Sequence, residues 1–297
     1  MSRLSIIHHA APTPEQRELI FDRVGGEIIE SLDHCWLCHA AAIGPAGLAD
    51  LRAALPFDIN PLPEGFVPGE VRLIVSDMDS TLIAIECIDE IADMLGLKPQ
   101  VAAITEAAMR GELEFAEALT RRVALLEGLP AEQLQRVYDE RLRLNPGAET
   151  LMETARRLGI KTAVVSGGFT FFTERVRQRL GLDYALANEL EVTEGRLTGR
   201  VLGTICGAEA KAEFLERTCR ELDIDLAQSI AVGDGANDLP MLNLAGLGVA
   251  YHAKPKVQAE ADVVINHGGL DSLCHFLSPL PGAAFPKHDE ELECGTG

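Results

Sequence analysis

The strongest constraint on the fold is an alternation of short apolar segments with helix-length segments in the second half of the chain. The predicted strands are residues 73–75, 161–166, 185–187, 229–232 and 262–265. The predicted helices between them are residues 169–180, 208–222 and 239–245. This alternation predicts an α/β fold with a doubly wound parallel sheet and helices on both faces. A β-hairpin centred on Glu194-Gly195 is predicted as an insertion within residues 191–201.

Residues 86–144 interrupt this pattern, because they show helical periodicity and no strand signal. Ile88, Ile91 and Leu95, for example, share one face of a helix. The segment Asn145-Pro146-Gly147 ends the periodicity, since proline and glycine break helices. We therefore expect a helical cap at about residues 85–145, inserted after the first strand of the sheet.

The segment before residue 70 is predicted to form a separate unit. Residues 56–69 contain four prolines, and we interpret them as a linker because proline fixes φ and removes a backbone donor. Upstream, a small α+β domain is predicted from strands at 3–8 and 34–43 and helices at 13–24 and 45–55. The expected domains are thus residues 1–69 with the linker, a catalytic domain at 70–278, and a loose acidic tail at 279–297.

Composition excludes several classes of function. With 26 basic and 46 acidic residues the chain has a formal net charge of −20, which disfavours a nucleic-acid partner. The sequence contains no apolar run of about 18 residues, so no membrane span is predicted. The N-terminus does not resemble a signal peptide, and an odd number of cysteines, seven, favours reduced thiols and a cytoplasmic location. Cys35-Trp36-Leu37-Cys38-His39 has the spacing of a haem attachment site, but we favour buried thiols because haem attachment requires export.

Three polar clusters lie where an open parallel sheet binds its ligands, at the carboxyl ends of its strands. Asp77 and Asp79 follow the first strand, and Ser166 and Gly167 follow the second. Residues 233–238 follow a later strand, and Lys211 lies near the start of a helix between the last two clusters. Each cluster alone is explained by a turn or a surface lysine, but their joint occurrence predicts one site.

The chemistry that these groups favour is phosphoryl transfer. Carboxylates of Asp77 and Asp234 provide hard oxygen ligands suited to Mg²⁺, which binds carboxylates together with phosphate oxygens. Ser166, the N–H groups of the following glycines and Lys211 can hold and neutralise a phosphate. Asp77 can attack phosphorus, and Asp79 can act as general acid and base.

With Asp77-Met-Asp79-Ser80-Thr81, Ser166, Lys211 and Gly233-Asp234-Gly-Ala-Asn237-Asp238, the sequence resembles the haloacid-dehalogenase superfamily over residues 71–277. The resemblance implies a Rossmann-like sheet with a cap inserted after the first motif, and Asn237 at the substrate. It implies Mg²⁺ bound by the Asp77 side chain, the Asp79 main-chain carbonyl and Asp234. Asp238 is implied to support the shell of metal ligands.

A second set of residues is similar to the phosphoserine phosphatase family. It consists of Asp79-Ser-Thr-Leu82, Glu86 with residues 88–92, residues 108–111, Phe115 and residues 122–126. The similarity implies hydrolysis of L-phosphoserine, the last step of serine biosynthesis. Glu86 is then expected to bind the substrate ammonium and Arg122 its carboxylate, although the neighbouring Arg121 is equally basic. Met109 and Phe115 are expected to line the apolar side of the closed cap.

Three alternatives stay open at the level of sequence. The enzyme could pass the phosphoryl group from phosphoserine to another alcohol, such as homoserine. It could hydrolyse another small phosphate ester, or it could be a ligand-binding sensor whose phosphatase site is idle. The N-terminal unit resembles a shortened regulatory domain without a recognisable ligand site, and a homodimer is one expectation for its assembly.

Overall fold

The computed structural model describes residues 2–8, 11–24, 27–32, 35–40 and 43–277. These residues form a four-stranded and a seven-stranded sheet. Among them, no helix combines the length and the apolarity that crossing a membrane requires. The predicted tail at residues 279–297 lies outside the described residues, as do three positions of the strand predicted at 34–43: His34, Ala41 and Ala42.

The N-terminal domain is a four-stranded antiparallel sheet with two helices. In chain order its elements are β1 (Ser2–Ile7), α1 (Pro14–Val24), β2 (Glu27–Leu32), β3 (Cys35–Ala40), α2 (Pro45–Ala54) and β4 (Asp58–Leu62). The strand order is β2-β3-β1-β4. Thr13 caps α1, because its Oγ1 accepts the N–H of Gln16 and its own N–H donates to the Gln16 side chain.

Successive side chains of β1 point to opposite faces of this sheet, and both faces are buried. Leu4 and Ile6 pack with Ile20 of α1 and Leu51 of α2, whereas Ile7 belongs to the large apolar cluster of the catalytic domain. The N-terminal domain therefore packs directly against the rest of the chain. Cys35 of the haem-like motif is buried beside the Ser5 hydroxyl, and the side chains of Cys38 and His39 lie outside the described part of the chain.

The segment predicted as a linker contains a strand. Asp58–Leu62 pairs with β1 in an antiparallel register, and its position at the sheet edge tolerates Pro61, which cannot donate to a ladder. The side-chain amide of Asn60 donates to the carbonyl of Val264 and accepts the N–H of Val264, both at 2.9 Å. Asp58 accepts from the backbone N–H groups of residues 266, 267 and 268. These bonds fix β4 to the edge of the catalytic sheet.

The catalytic sheet confirms the predicted doubly wound α/β fold. Its strands are β5 (Leu73–Ser76), β6 (Lys161–Phe169), β7 (Tyr184–Thr193), β8 (Arg196–Leu202), β9 (Ser229–Gly233), β10 (Leu247–Tyr251) and β11 (Val263–Ile265). Their order is β11-β10-β9-β5-β6-β7-β8, and all neighbouring pairs are parallel except the hairpin β7–β8. The central strand β5 lies between β6 and β9, so the order reverses there, which is where such sheets bind ligands.

Four helices occupy the segment predicted as the cap: α3 (Cys87–Met94), α4 (Lys98–Met109), α5 (Phe115–Ala124) and α6 (Glu132–Glu140). The helices of the catalytic sheet are α7 (Ala148–Arg157), α8 (Thr170–Leu180), α9 (Ala208–Glu221), α10 (Leu239–Leu244) and α11 (Pro255–Glu260). Backbone hydrogen bonds tie the cap to the β7–β8 hairpin, since Gly128 donates to Leu197 and Leu197 donates to Leu129. These two bonds fix the segment between α5 and α6 to the edge of the sheet.

Candidate active site

Asp77 follows the last residue of β5 and lies at the centre of the site. Its N–H donates to the carbonyl of Val232 on β9 at 2.9 Å, so the pairing of the two strands continues to this point. Its Oδ1 accepts from the N–H of Met78 at 2.7 Å and lies 2.9 Å from Nζ of Lys211. The Asp77 side chain is only 8% exposed, which shields the carboxylate from water.

Lys211 is fully buried and joins two carboxylates. Its Nζ lies 2.6 Å from Oδ1 of Asp238 and 2.9 Å from Oδ1 of Asp77. Burial alone would lower the pKa of Lys211, but the charges of Asp238 and Asp77 outweigh it and raise that pKa. Burial and the charge of Asp238 raise the pKa of Asp77 well above its usual range, and Lys211 opposes this shift. One ammonium thus serves two buried carboxylates and leaves excess negative charge.

Asp79 points towards the carboxyl-terminal end of β6. Its Oδ1 accepts from the N–H of Cys87 at 2.8 Å, and its Oδ2 accepts from the Ser166 hydroxyl at 3.1 Å. The Ser166 oxygen in turn accepts from the N–H of Gly168 at 2.8 Å. Burial raises the pKa of Asp79, and the bonds from Cys87 and Ser166 offset part of the shift. A raised pKa brings a buried carboxyl closer to the range in which it can both give and take a proton.

Three carboxylates form a site suited to a divalent cation. Oxygen atoms of Asp77, Asp234 and Asp238 all lie within 4.8 Å of one another. Burial and the charge of Asp238 raise the pKa of Asp234 to about 6. The positive charge of the neighbouring lysines therefore does not balance the negative charge of the carboxylates. A set of hard carboxylate oxygens around excess negative charge fits Mg²⁺.

The glycine-rich loop after β9 fixes the acidic residues. Both oxygens of Asp238 are engaged, one by Lys211 and the other by the N–H of Gly235 at 2.9 Å. A Cβ on Gly233 would lie 2.5 Å from Cγ of Asp238, so only glycine fits there. Asn237 lies in the following 3₁₀ turn, Ala236–Asp238, and its contact with a substrate stays a prediction.

Glu86 and Arg122 bring opposite charges to the cap side of the site. Oε1 of Glu86 accepts from the Ser80 hydroxyl at 2.7 Å. Desolvation of the Glu86 carboxylate by the surrounding protein, together with the charge of Asp79, raises the pKa of Glu86 to about 7. Arg122 is half-buried; burial lowers its pKa, against the attraction of Asp89, Glu86 and Asp79. Arg121 instead is exposed and pairs with Glu117 on the same helix. The structure thus distinguishes two arginines that the sequence could not.

Phe115 closes the cap onto the catalytic sheet. A Cβ on Gly167 would lie 2.8 Å from Cζ of Phe115, and one on Gly207 would lie 3.4 Å from its ring. The ring therefore lies directly on the backbone at the end of β6 and at the start of α9. Met109 was predicted to share this role, but it is 64% exposed at the end of α4. The structure brings Phe115 to the site and leaves Met109 in solvent.

Asn188 belongs to the site and was missed by sequence reasoning. It is buried in β7, and its Nδ2 donates to the carbonyl of Gly167 at 2.8 Å while its Oδ1 accepts from the N–H of Cys206 at 2.8 Å. It thus holds the end of β6 and the loop before α9 at a fixed separation. The available signal was a polar amide directly after the strand predicted at residues 185–187, which in sequence alone is indistinguishable from a solvent-facing residue.

Comparison with known proteins gives consistent matches. A family model for haloacid dehalogenase-like hydrolases matches residues 74–243. The phosphoserine phosphatase of Polaromonas sp. (strain JS666) is 56% identical over 213 residues, which cover 70% of this chain and 90% of that protein. A haloacid dehalogenase family hydrolase from Salmonella enterica serovar Typhi aligns over 93% of this chain and 98% of its own, with a TM-score of 0.84 and 34% identity. A probable phosphoserine phosphatase from Vibrio cholerae aligns over 93% and 86%, with a TM-score of 0.80 and 38% identity.

Proposed function

The chain belongs to the haloacid dehalogenase-like hydrolase family, and from this premise we propose that it hydrolyses L-phosphoserine to L-serine and phosphate through an aspartyl-phosphate intermediate. The observation that carries the proposal is the pairing of a buried Asp77–Lys211 centre with oppositely charged Glu86 and Arg122 on the cap side. Phosphoserine carries a phosphate, an ammonium and a carboxylate. The Asp77–Lys211 centre, Glu86 and Arg122 offer a partner for each of these three groups. The name of the 56% identical relative supports the same substrate.

In the first step, an oxygen of Asp77 attacks phosphorus and the bond from phosphorus to the serine oxygen breaks. Asp79 donates its proton to that oxygen, so serine leaves as a neutral alcohol. The raised pKa of Asp79 favours the protonated form that this step requires. Lys211 remains beside Asp77 and offsets the negative charge of the attacking carboxylate and of the phosphoryl oxygens.

In the second step, water attacks phosphorus of the aspartyl phosphate and Asp79 takes the proton of that water. The bond from phosphorus to Asp77 breaks, which releases phosphate and restores the carboxylate. The Ser166 hydroxyl and the backbone N–H groups that follow it would hold the equatorial oxygens in both steps. Because Ser166 already contacts Asp79 at 3.1 Å, phosphate and acid/base group would be positioned by one loop.

Asp77, Asp234 and the main-chain carbonyl of Asp79 would hold Mg²⁺ in this scheme. When bound, the ion would neutralise charge on the phosphoryl oxygens, which is its usual contribution to phosphoryl transfer. Asp238 would stay with Lys211 and the N–H of Gly235, which already occupy both of its oxygens. It would therefore orient Lys211 and contribute charge, with Asp234 as the direct ligand.

Selection of the amino acid would come from the cap. Glu86 would bind the ammonium of the substrate, and the guanidinium of Arg122 would bind its carboxylate, since arginine matches a carboxylate in a bidentate way. Phe115 would exclude water above the phosphate-binding loop, where it already contacts the backbone of Gly167. A role for Met109 in the ligand-bound cap stays a prediction.

Location and assembly also stay predictions. Among the described residues, five cysteines carry free thiols: Cys35, Cys87, Cys206, Cys219 and Cys274. Free thiols support the predicted cytoplasmic compartment. The predicted homodimer rests on the sequence alone.

The test is phosphate release from L-phosphoserine with and without Mg²⁺, for the wild type, Asp77→Asn and the control Asp139→Asn. Asp139 is an exposed residue of the cap, so the control makes the same chemical change away from the site. We expect Mg²⁺-dependent release that Asp77→Asn lowers by more than about 10³-fold and that the control retains. An active Asp77→Asn enzyme would exclude the proposed nucleophile. If the enzyme cleaves an aryl phosphate but not phosphoserine, the proposed phosphatase chemistry is supported and the proposed roles of Glu86 and Arg122 are rejected.

A further inference from the structure

The two chain segments that connect the cap to the catalytic sheet run side by side. The outgoing segment covers residues 80–86 and the returning segment residues 141–147. Ala84 donates its N–H to Arg143 at 2.8 Å, and Asn145 donates its N–H to Leu82 at 2.9 Å. A movement of the cap relative to the sheet therefore changes the position of these two hydrogen-bonded segments.

The side chain of Asn145 adds a second set of bonds across the same two segments. Its Nδ2 lies 2.8 Å from the carbonyl oxygen of Thr81 and 3.2 Å from those of Ser80 and Ile83. The two hydrogens of one amide group are thus shared among three carbonyls of a single turn. Ser80 has φ +57°, a left-handed conformation that costs a non-glycine residue energy and persists when the surroundings hold it.

The turn at residues 80–83 positions two groups of the site. The Ser80 hydroxyl donates to Glu86 at 2.7 Å, and the Thr81 hydroxyl donates to Oδ1 of Asp234 at 3.2 Å. A change in this turn therefore reaches both the residue assigned to the substrate ammonium and a carboxylate of the cation site.

Asn145 itself is fixed from the side of the catalytic sheet. The carbonyl of Pro146 accepts from the N–H of Leu270 at 2.8 Å. Gly147, at φ +80°, lies so close to Asp271 that a Cβ would meet its backbone nitrogen at 2.3 Å. The residues after Asn145 are therefore packed against the sheet domain, and this packing fixes the position of the Asn145 backbone.

We propose that Asn145 is a positioning residue for the reaction: its amide holds the turn at residues 80–83 and thereby sets the places of Glu86 and Asp234. The part of this proposal that concerns Glu86 rests on the proposed function. The part that concerns Asp234 does not, because it applies to any substrate of the site. The two parts therefore have separate readouts.

The test uses Asn145→Asp, Asn145→Ala and the control Asn243→Asp. Asn145→Asp keeps the size of the side chain and replaces the donor by a carboxylate facing three carbonyl oxygens. Asn243 is exposed on α10, so its variant makes the same charge change elsewhere. The measurements are kcat and KM for phosphoserine and for p-nitrophenyl phosphate, Mg²⁺ binding by calorimetry, and the thermal unfolding midpoint.

We expect Asn145→Asp to raise KM for phosphoserine about 10-fold and to weaken Mg²⁺ binding about 3-fold or more, since lost bonds to a strained turn are not replaced. KM for p-nitrophenyl phosphate, which has no ammonium, should change less. Asn243→Asp should match the wild type in every measurement. Asn145→Ala should change the same quantities in the same direction, and it decides the matter if the aspartate variant does not fold.

A lower unfolding midpoint with KM and Mg²⁺ affinity within twofold of the wild type would overturn the proposal, because Asn145 would then only stabilise the fold. If wild-type protein does not hydrolyse phosphoserine, the proposed function fails. In that case the calorimetric comparison of Mg²⁺ binding still accepts or rejects the role of Asn145.

Discussion

Replacing Gly168 by alanine should lower kcat for phosphoserine about 100-fold and change KM by much less. The added Cβ would lie 2.6 Å from Oδ2 of Asp79 and 3.0 Å from the Ser166 oxygen. Ordinary contact begins at 3.4 Å, so the Asp79 oxygen must move by about 0.8 Å, and a displacement near 1 Å in a catalytic group costs of order 10²-fold in rate. Asp79 cannot simply rotate away, because its other oxygen is bound to the N–H of Cys87 at 2.8 Å.

Two further glycines supply the comparison for this assay of phosphate release. A Cβ on Gly65 would meet nothing within 4 Å, so Gly65→Ala should match the wild type. A Cβ on Gly167 would meet Cζ of Phe115 at 2.8 Å, which is the end of a flexible side chain on the cap. Gly167→Ala should therefore disturb closure of the cap and affect KM more than kcat.

The reasoning is refuted if Gly168→Ala keeps kcat within threefold of the wild type. Such a result would mean that Asp79 does not transfer protons from its observed position against Ser166. The thermal unfolding midpoint of each variant is measured in parallel. A midpoint equal to that of the wild type assigns the loss of kcat to the displaced carboxyl rather than to unfolding.

The pKa of Glu86 is about 7, so its side chain is mainly protonated below pH 7. Because the negative charge of Glu86 forms as the pH increases through 7, kcat/KM for phosphoserine should rise over the same range. Glu86→Gln should lower kcat/KM and remove that part of the rise; an unchanged pH profile in Glu86→Gln would contradict the assignment. Arg122→Ala should raise KM about 10-fold or more, whereas Arg121→Ala should stay within twofold, and equal effects would reject the distinction between them. Asn60→Ala should lower the free energy of unfolding by about 1–3 kcal/mol, because both backbone groups of Val264 lose their partner; urea unfolding measures this, and an unchanged midpoint would argue against the contact.

Most of the candidate site was predictable because three of its residues lie at the carboxyl ends of strands in one parallel sheet. Parallel neighbours place their carboxyl ends at one edge, so Asp77, Ser166 and Asp234 had to converge once the strands were identified. The strand β10 was missed because Gly248 weakens the strand pattern of a short apolar segment. The structure explains that glycine: a Cβ there would lie 2.4 Å from the carbonyl oxygen of Leu242, so the close approach of α10 to β10 requires it.

The attachment of the N-terminal domain was not predictable from local sequence. Prolines around Asn60 favoured a linker, and the bonds that Asn60 makes to Val264 join residues 204 positions apart. Asp58 similarly binds the backbone at residues 266–268. Contacts between a side chain and a backbone segment far away in the sequence leave no periodic pattern in the sequence. They can therefore be identified only in the folded structure.

Asn145 shows the same limit within the site. Its place at the end of the cap was predicted from turn chemistry, because Asn-Pro-Gly ends a helical segment. Its bonds to three carbonyls of the outgoing segment depend on where the amide points after folding. Aspartate forms turns as readily as asparagine, so Asn145→Asp preserves the property that the sequence predicted and removes the donor that the structure adds. An effect on KM or on Mg²⁺ binding that Asn145→Asp shares with the uncharged Asn145→Ala is therefore attributable to the bridge between the two segments and not to the turn or to the added charge.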